Sequence, residues 1–199
     1  QNLKDLIDVL KKLRAPDGCD WDRSQTHESL IPYLLEETYE VIEAIEKNDY
    51  VLLKEELGDL LLHVVFQAEL ASENGKFDIY DSISNINKKL IDRHPHIFSN
   101  TEDQSWKKGS WELAKKKEKN RDSILDGVPK ALPALTKAKR IQEKASGIGF
   151  DWEVLDQVYD KVYEEIDELN EALKSQKTEK IEEELGDVIF SIVNLSRHI

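Results

Sequence analysis

Two sets of four acids recur along this chain at one spacing, and that spacing constrains the fold more than any other feature. Glu37-x-x-Glu40 is followed by Glu56-x-x-Asp59, and Glu165-x-x-Glu168 is followed by Glu184-x-x-Asp187. A single offset of 128 residues carries Glu37 onto Glu165 and every other acid of the first set onto the second. Acids three residues apart share one face of a helix, one turn from each other. Further upstream, Gly18-Cys19-Asp20-Trp21-Asp22 is echoed by Gly149-Phe150-Asp151-Trp152-Glu153. A motif and its flanks repeated in order point to a duplicated helical unit.

Apolar periodicity agrees. Residues repeating at three- and four-residue intervals predict helices over 3–13, 33–47, 51–74, 79–93, 132–146, 154–175 and 179–197. A loop is expected through Trp21 and Gln25, and Pro32 sits where a first helical turn tolerates it. The expected organisation is an N-terminal helical domain over 1–96, a polar, Lys-rich connector over 97–129 and a C-terminal helical domain over 130–199. A short helical piece is expected within the connector, around 111–119. The chain has no Met and stops inside a helical pattern, so the last helix of the second copy is expected beyond Ile199. The fold class is all-α: two tandem bundles.

Composition narrows the function. Charged residues make up 35% and hydrophobic ones 39% of the 199 residues, which suits helices with wide solvated faces rather than a thick α/β core. A net charge of −13 argues against nucleic acid and against anionic membrane surfaces as partners. No apolar run approaches the ~20 residues of a membrane span; the longest, Leu60 to Phe66, is broken by His63. One cysteine, Cys19, suits a reducing cytoplasm.

On a helical wheel the second helix is expected to bury Leu34, Leu35, Thr38, Val41, Ile42 and Ile45, with Glu37 and Glu40 on its flank. The third is apolar around most of its circumference and is expected to be buried. Its remaining strip carries Glu56, Asp59, His63 and Gln67; the second copy places Glu184, Asp187 and Ser191 there. Gly58 is expected to let the two helices approach closely. Ionised carboxylates on a buried helix cost several kcal/mol each unless compensated. Four of them together raise one another's pKa values, and neither motif contains a Lys or Arg. A divalent cation resolves the conflict, and an all-oxygen donor set selects Mg²⁺ or Mn²⁺ over zinc, which calls for His and Cys. His63 reads as a core or boundary residue. Trp21 and Trp152 either plug helix junctions or stack on a base.

With these motifs and the Arg93-His94-Pro95-His96 segment, the chain resembles the MazG family of all-α nucleoside triphosphate pyrophosphohydrolases over nearly its whole length. The resemblance implies Mg²⁺-dependent hydrolysis of nucleoside triphosphates to monophosphate and diphosphate, in nucleotide-pool clean-up or stress nucleotide control. It also implies bundles that assemble as homodimers or larger oligomers. Glu37, Glu40, Glu56 and Asp59, with Glu165, Glu168, Glu184 and Asp187, would hold the metal. Glu37 or Glu40, and Glu165 or Glu168, would serve the attacking water. Asn87, Lys89 and Arg93 would contact phosphate. A di-iron bundle would need Glu-x-x-His, and no Glu here has a His three residues later. The alternative is a catalytically silent bundle that binds nucleotide or metal in a regulatory role.

Overall fold

The computed structural model describes residues 2–98 and 122–199, so the helical piece expected around 111–119 lies outside the described residues. Every regular element among them is a helix: α1 Leu3–Arg14, α2 Asp20–Ser24, α3 Ile31–Glu46, α4 Tyr50–Glu73, α5 Ile79–Arg93, α6 Pro95–Phe98, α7 Ala134–Gly147, α8 Leu155–Ser175 and α9 Thr178–His198. The chain divides into two compact units, Gln1–Asp92 and Arg93–Ile199.

Local chemistry sets the helix ends of the first unit. Asn2 caps α1 in a reciprocal box: its side chain accepts from the Lys4 and Asp5 amides, while Asp5 Oδ2 accepts from the Asn2 amide at 2.8 Å. Asp49 caps α4 through the Val51 and Leu52 amides. The α3–α4 hairpin turns at Asn48, which holds φ 54° in the left-handed region that Asn tolerates. After α1 the chain folds back so tightly at Gly18 that a Cβ there would collide with the Leu13 carbonyl. A helical turn, α2, then places Trp21, where the sequence suggests a loop; five residues carry too little periodicity to be read.

α3 pairs with α4, and α1 packs on α4. Their core gathers Ile7, Leu10, Leu30, Val65, Phe66 and Ile79. In the second unit α8 pairs with α9 and α7 packs on α9, around Val158, Ala172 and Val188.

Helical periodicity overstates burial. Of the α3 face expected inside, Leu35, Ile42 and Ile45 are exposed, and Ala44 is the fully buried residue of that helix. α4 is likewise not enclosed: Leu57, Leu61 and Val64 form an open apolar strip. Periodicity reports which residues share a face but not whether one chain covers it. Gly58 is no close-approach point either, because a Cβ there meets nothing within 4 Å.

Candidate functional site

In the first unit, α3 supplies Glu37 and Glu40, and α4 supplies Glu56 and Asp59 from the antiparallel partner of the same hairpin. One carboxylate oxygen each from Glu37, Glu56 and Asp59 lie within 4.8 Å of one another. Glu40 stands outside that trio, but its charge acts on both Glu37 and Glu56. Desolvation, followed by repulsion from Glu40 and Asp59, lifts the Glu37 and Glu56 carboxyls above the usual range. This is the electrostatic frustration that a hard cation relieves.

The second unit builds the same trio from Glu165 on α8 and Glu184 and Asp187 on α9, again within 4.8 Å. Glu168 is pushed upward by desolvation, then by Glu165 and Glu184. Here the two units part. Lys161, one turn before the motif, sets its Nζ 2.8 Å from Glu165 Oε1 and 3.0 Å from Glu164 Oε1. The absence of Lys and Arg within the motif holds, but it misses this cation just outside it. The i, i+4 spacing from Lys161 to Glu165 is the signal that finds it.

A cavity of about 360 Å³ opens against the second trio, with Glu165, Asp187, Lys161, Ser191, Phe150 and Trp152 among its walls. In the first unit the repeat positions of Lys161, Ser191 and Asn194 are Tyr33, His63 and Phe66. Tyr33 stacks on His63 (centroids 6.5 Å, 14° between planes), and Trp21 packs edge-on against Tyr33 at 5.8 Å. Aromatic side chains therefore stand in the first unit where smaller or flexible ones border the cavity in the second. His63 is buried with Nδ1 unpartnered, and desolvation holds its pKa below the usual imidazole value. Of the two tryptophans, Trp21 is half exposed and packs edge-on against Tyr33, while Trp152 faces a cavity.

Asn87 and Lys89 lie on α5, which joins the first unit's core through Ile79 and Ile83 at its other end. Neither is among the groups acting most strongly on Glu37 or Glu56. Arg93 ends α5 and falls in the second unit.

Comparison with known proteins adds an independent observation. The family model for the MazG nucleotide pyrophosphohydrolase domain matches residues 25–98 and 155–198, and so takes in both acid sets. The nucleoside triphosphate pyrophosphohydrolase/pyrophosphatase MazG of Thermotoga maritima is 50% identical over 98% of this chain and 76% of its own length. The nucleoside triphosphate pyrophosphohydrolase of Escherichia coli K12 is 47% identical over 98% of this chain and 77% of its own. That of Mycobacterium tuberculosis is 38% identical over 75% of this chain and 46% of its own.

Proposed function

This chain belongs to the MazG family of nucleotide pyrophosphohydrolases, and from that membership we propose that it is a Mg²⁺-dependent enzyme converting nucleoside triphosphates to monophosphate and diphosphate. The observation that carries this reading is the second unit's cavity. An aromatic-walled space of about 360 Å³ adjoins three converging carboxylates, which suits a base at one end and phosphates at the other.

The donors fit a hard cation. They are oxygens only, they converge within 4.8 Å, and Glu168 beside them is raised by desolvation and then by the Glu165 and Glu184 charges. Mg²⁺ or Mn²⁺ bound there would supply positive charge for the phosphates and a water of lowered pKa. Glu165, Glu184 and Asp187 would hold it, with Glu168 beside them. Glu165 or Glu168 would orient the attacking water and take its proton. Lys161 is placed to exchange its carboxylate partners for phosphate oxygens. Trp152 and Phe150 would take the base. Asn87, Lys89 and Arg93 keep the phosphate-contacting role that the family implies. The product balance suits clean-up of the nucleotide pool or control of stress nucleotides, in the cytoplasm.

The first unit's acids, Glu37, Glu40, Glu56 and Asp59, would hold the same ion without lysine competition. The Tyr33–His63 stack favours the silent, metal-binding reading for that unit alone.

A homodimer is the proposed assembly. Leu57, Leu61 and Val64 on α4 are exposed, and so are their repeat counterparts Leu185, Ile189 and Ile192 on α9. Apolar strips of this kind mark association surfaces. Sedimentation showing a monomer at micromolar concentration would reject it.

The decisive assay is incubation with Mg²⁺ and a panel of ribo- and deoxynucleoside triphosphates, with diphosphate and monophosphate quantified. Stoichiometric release of both is expected. Nucleotide binding with no product would leave only the regulatory reading.

A further inference from the structure

In the second unit, the segment Gly149 to Glu153 carries two of the three aromatic residues that line the nucleotide cavity, the third being Phe190 on α9, and is poorly supported by packing. One face of it borders the 360 Å³ cavity. A second cavity of about 340 Å³ is lined by the segment itself together with Gln157. Phe150 is 76% exposed, and Gly149 has φ 88°, a conformation that ordinary side chains resist. Space near both faces leaves few dispersion contacts to set the segment's position, so polar bonds must do so.

The segment's start is tied to the end of α7 by the Gly149 amide to Ser146 O (3.0 Å) and the Phe150 amide to Ala145 O (3.1 Å). Beyond that point its tie to α9 is Asp151. Arg197 grips this carboxylate with both ends of its guanidinium: Nη1 donates to Oδ2 at 2.9 Å and Nη2 to Oδ1. His198 Nε2 lies 3.1 Å from the same Oδ1. Arg197 is itself steadied by Asn194, whose Oδ1 accepts from Nε at 3.2 Å and from Nη2 at 2.9 Å. The pair is largely sheltered, with side chains 15% and 22% exposed. Planar, two-point pairing of this kind fixes orientation as well as distance.

The first unit lacks the pair. Its counterpart of Asp151 is Asp20, which bonds Arg23 within its own helix, and its counterpart of Arg197 is Glu69. The first unit ties its tryptophan segment differently: Arg14 on α1 pairs two-point with Glu73 on α4 and donates to the Asp22 carbonyl, so the Asp–Arg pair at these repeat positions belongs to the unit with the open cavity.

We propose that the Asp151–Arg197 pair is a latch that holds Phe150 and Trp152 in position to receive the base, making both members positioning residues for nucleotide capture rather than for hydrolysis. The proposal rests on the reading of this cavity as the nucleotide site. Releasing the latch lets the aromatic wall swing into the adjoining space, so affinity falls while the carboxylates, on α8 and α9, keep their geometry.

The test compares Asp151→Asn, Arg197→Gln and their double variant with wild type, and uses Asp20→Asn as the repeat-matched control. Either single change is expected to raise the nucleotide KM about tenfold with kcat within about twofold, the split that marks lost binding rather than lost chemistry. The double variant should be no worse than the singles, because both break one interaction. Mn²⁺ binding followed by electron paramagnetic resonance should be unchanged, and Asp20→Asn should behave as wild type. Unchanged KM in folded variants, additive effects, or a fall in kcat alone would overturn the latch. If Arg197→Gln does not fold, Arg197→Lys, which keeps charge but not two-point contact, should give an intermediate KM; a wild-type KM would count against the proposal.

A second arm needs no turnover. With Trp21, Trp106 and Trp111 changed to Phe, acrylamide should quench Trp152 more strongly once Asp151→Asn is introduced. Equal quenching would reject the latch. Absence of diphosphate release by the wild-type enzyme would instead reject the proposed function, and the quenching result would still decide the latch.

Discussion

Lys161 holds its ammonium 2.8 Å from the Glu165 carboxylate, at the repeat position where the first unit carries Tyr33. Two clusters with the same acids thus differ in who neutralises them. In the second the protein supplies a cation of its own, and the Lys161 pKa is raised by its bonds to Glu165 and Glu164. In the first, repulsion stands uncompensated.

The difference predicts unequal affinity for metal. An ion entering the second cluster must displace an ammonium, so Lys161→Gln should tighten Mn²⁺ binding there in the absence of nucleotide. A partly exposed pair is worth about 1 kcal/mol or less, which sets the gain at roughly fivefold. Electron paramagnetic resonance titration should resolve two classes of site, with only the weaker responding. The same substitution should raise the nucleotide KM, since Lys161 lines the cavity.

The first cluster predicts an unusual pH response. Glu37 and Glu56 are raised in the folded chain, so between their unfolded and folded values the native state binds more protons. Stability from these groups therefore falls as pH rises through the raised values and is fully present below the unfolded value of about 4.3. In EDTA, the gain in Tm on lowering pH from neutrality should be larger for wild type than for Glu37→Gln/Glu56→Gln. At neutral pH that variant should melt higher than wild type in EDTA and lose the increase that Mg²⁺ brings. A variant that melts lower than wild type under those conditions would contradict the account.

The acids of the second unit should control turnover. Glu165→Gln is expected to lower kcat by about 10²–10⁴-fold, the range of a positioned acid–base group, with circular dichroism unchanged. Glu37→Gln should leave most diphosphate release intact, because aromatic side chains occupy the first unit's equivalent of the cavity. Equal loss in both variants would place catalysis in both units.

Packing predicts a contrast within the first unit. Leu30 is fully buried, and Leu30→Ala should cost about 2–5 kcal/mol in denaturant unfolding. Trp21 is 50% exposed and contributes one edge-to-face contact, so Trp21→Ala should cost about 1 kcal/mol and leave nucleotide KM unchanged. Trp152→Ala should do the reverse, raising KM with little effect on stability.

The helices, the duplication and the pairing of acids were legible in the chain because each depends on residues within a turn or two of one another. Glu37 beside Glu40, or Glu56 beside Asp59, needs only helical geometry, and the hairpin of α3 and α4 follows from Asn48 and the Asp49 cap. Burial of Leu35 or Leu61 was not legible, since periodicity names a face without naming what covers it. Nor was the meeting of Asp151 with Arg197, 46 residues apart. Tertiary packing alone decided that one unit opens a cavity at its carboxylates while the other stacks Tyr33 on His63, because whether a space is filled depends on side chains from several helices at once.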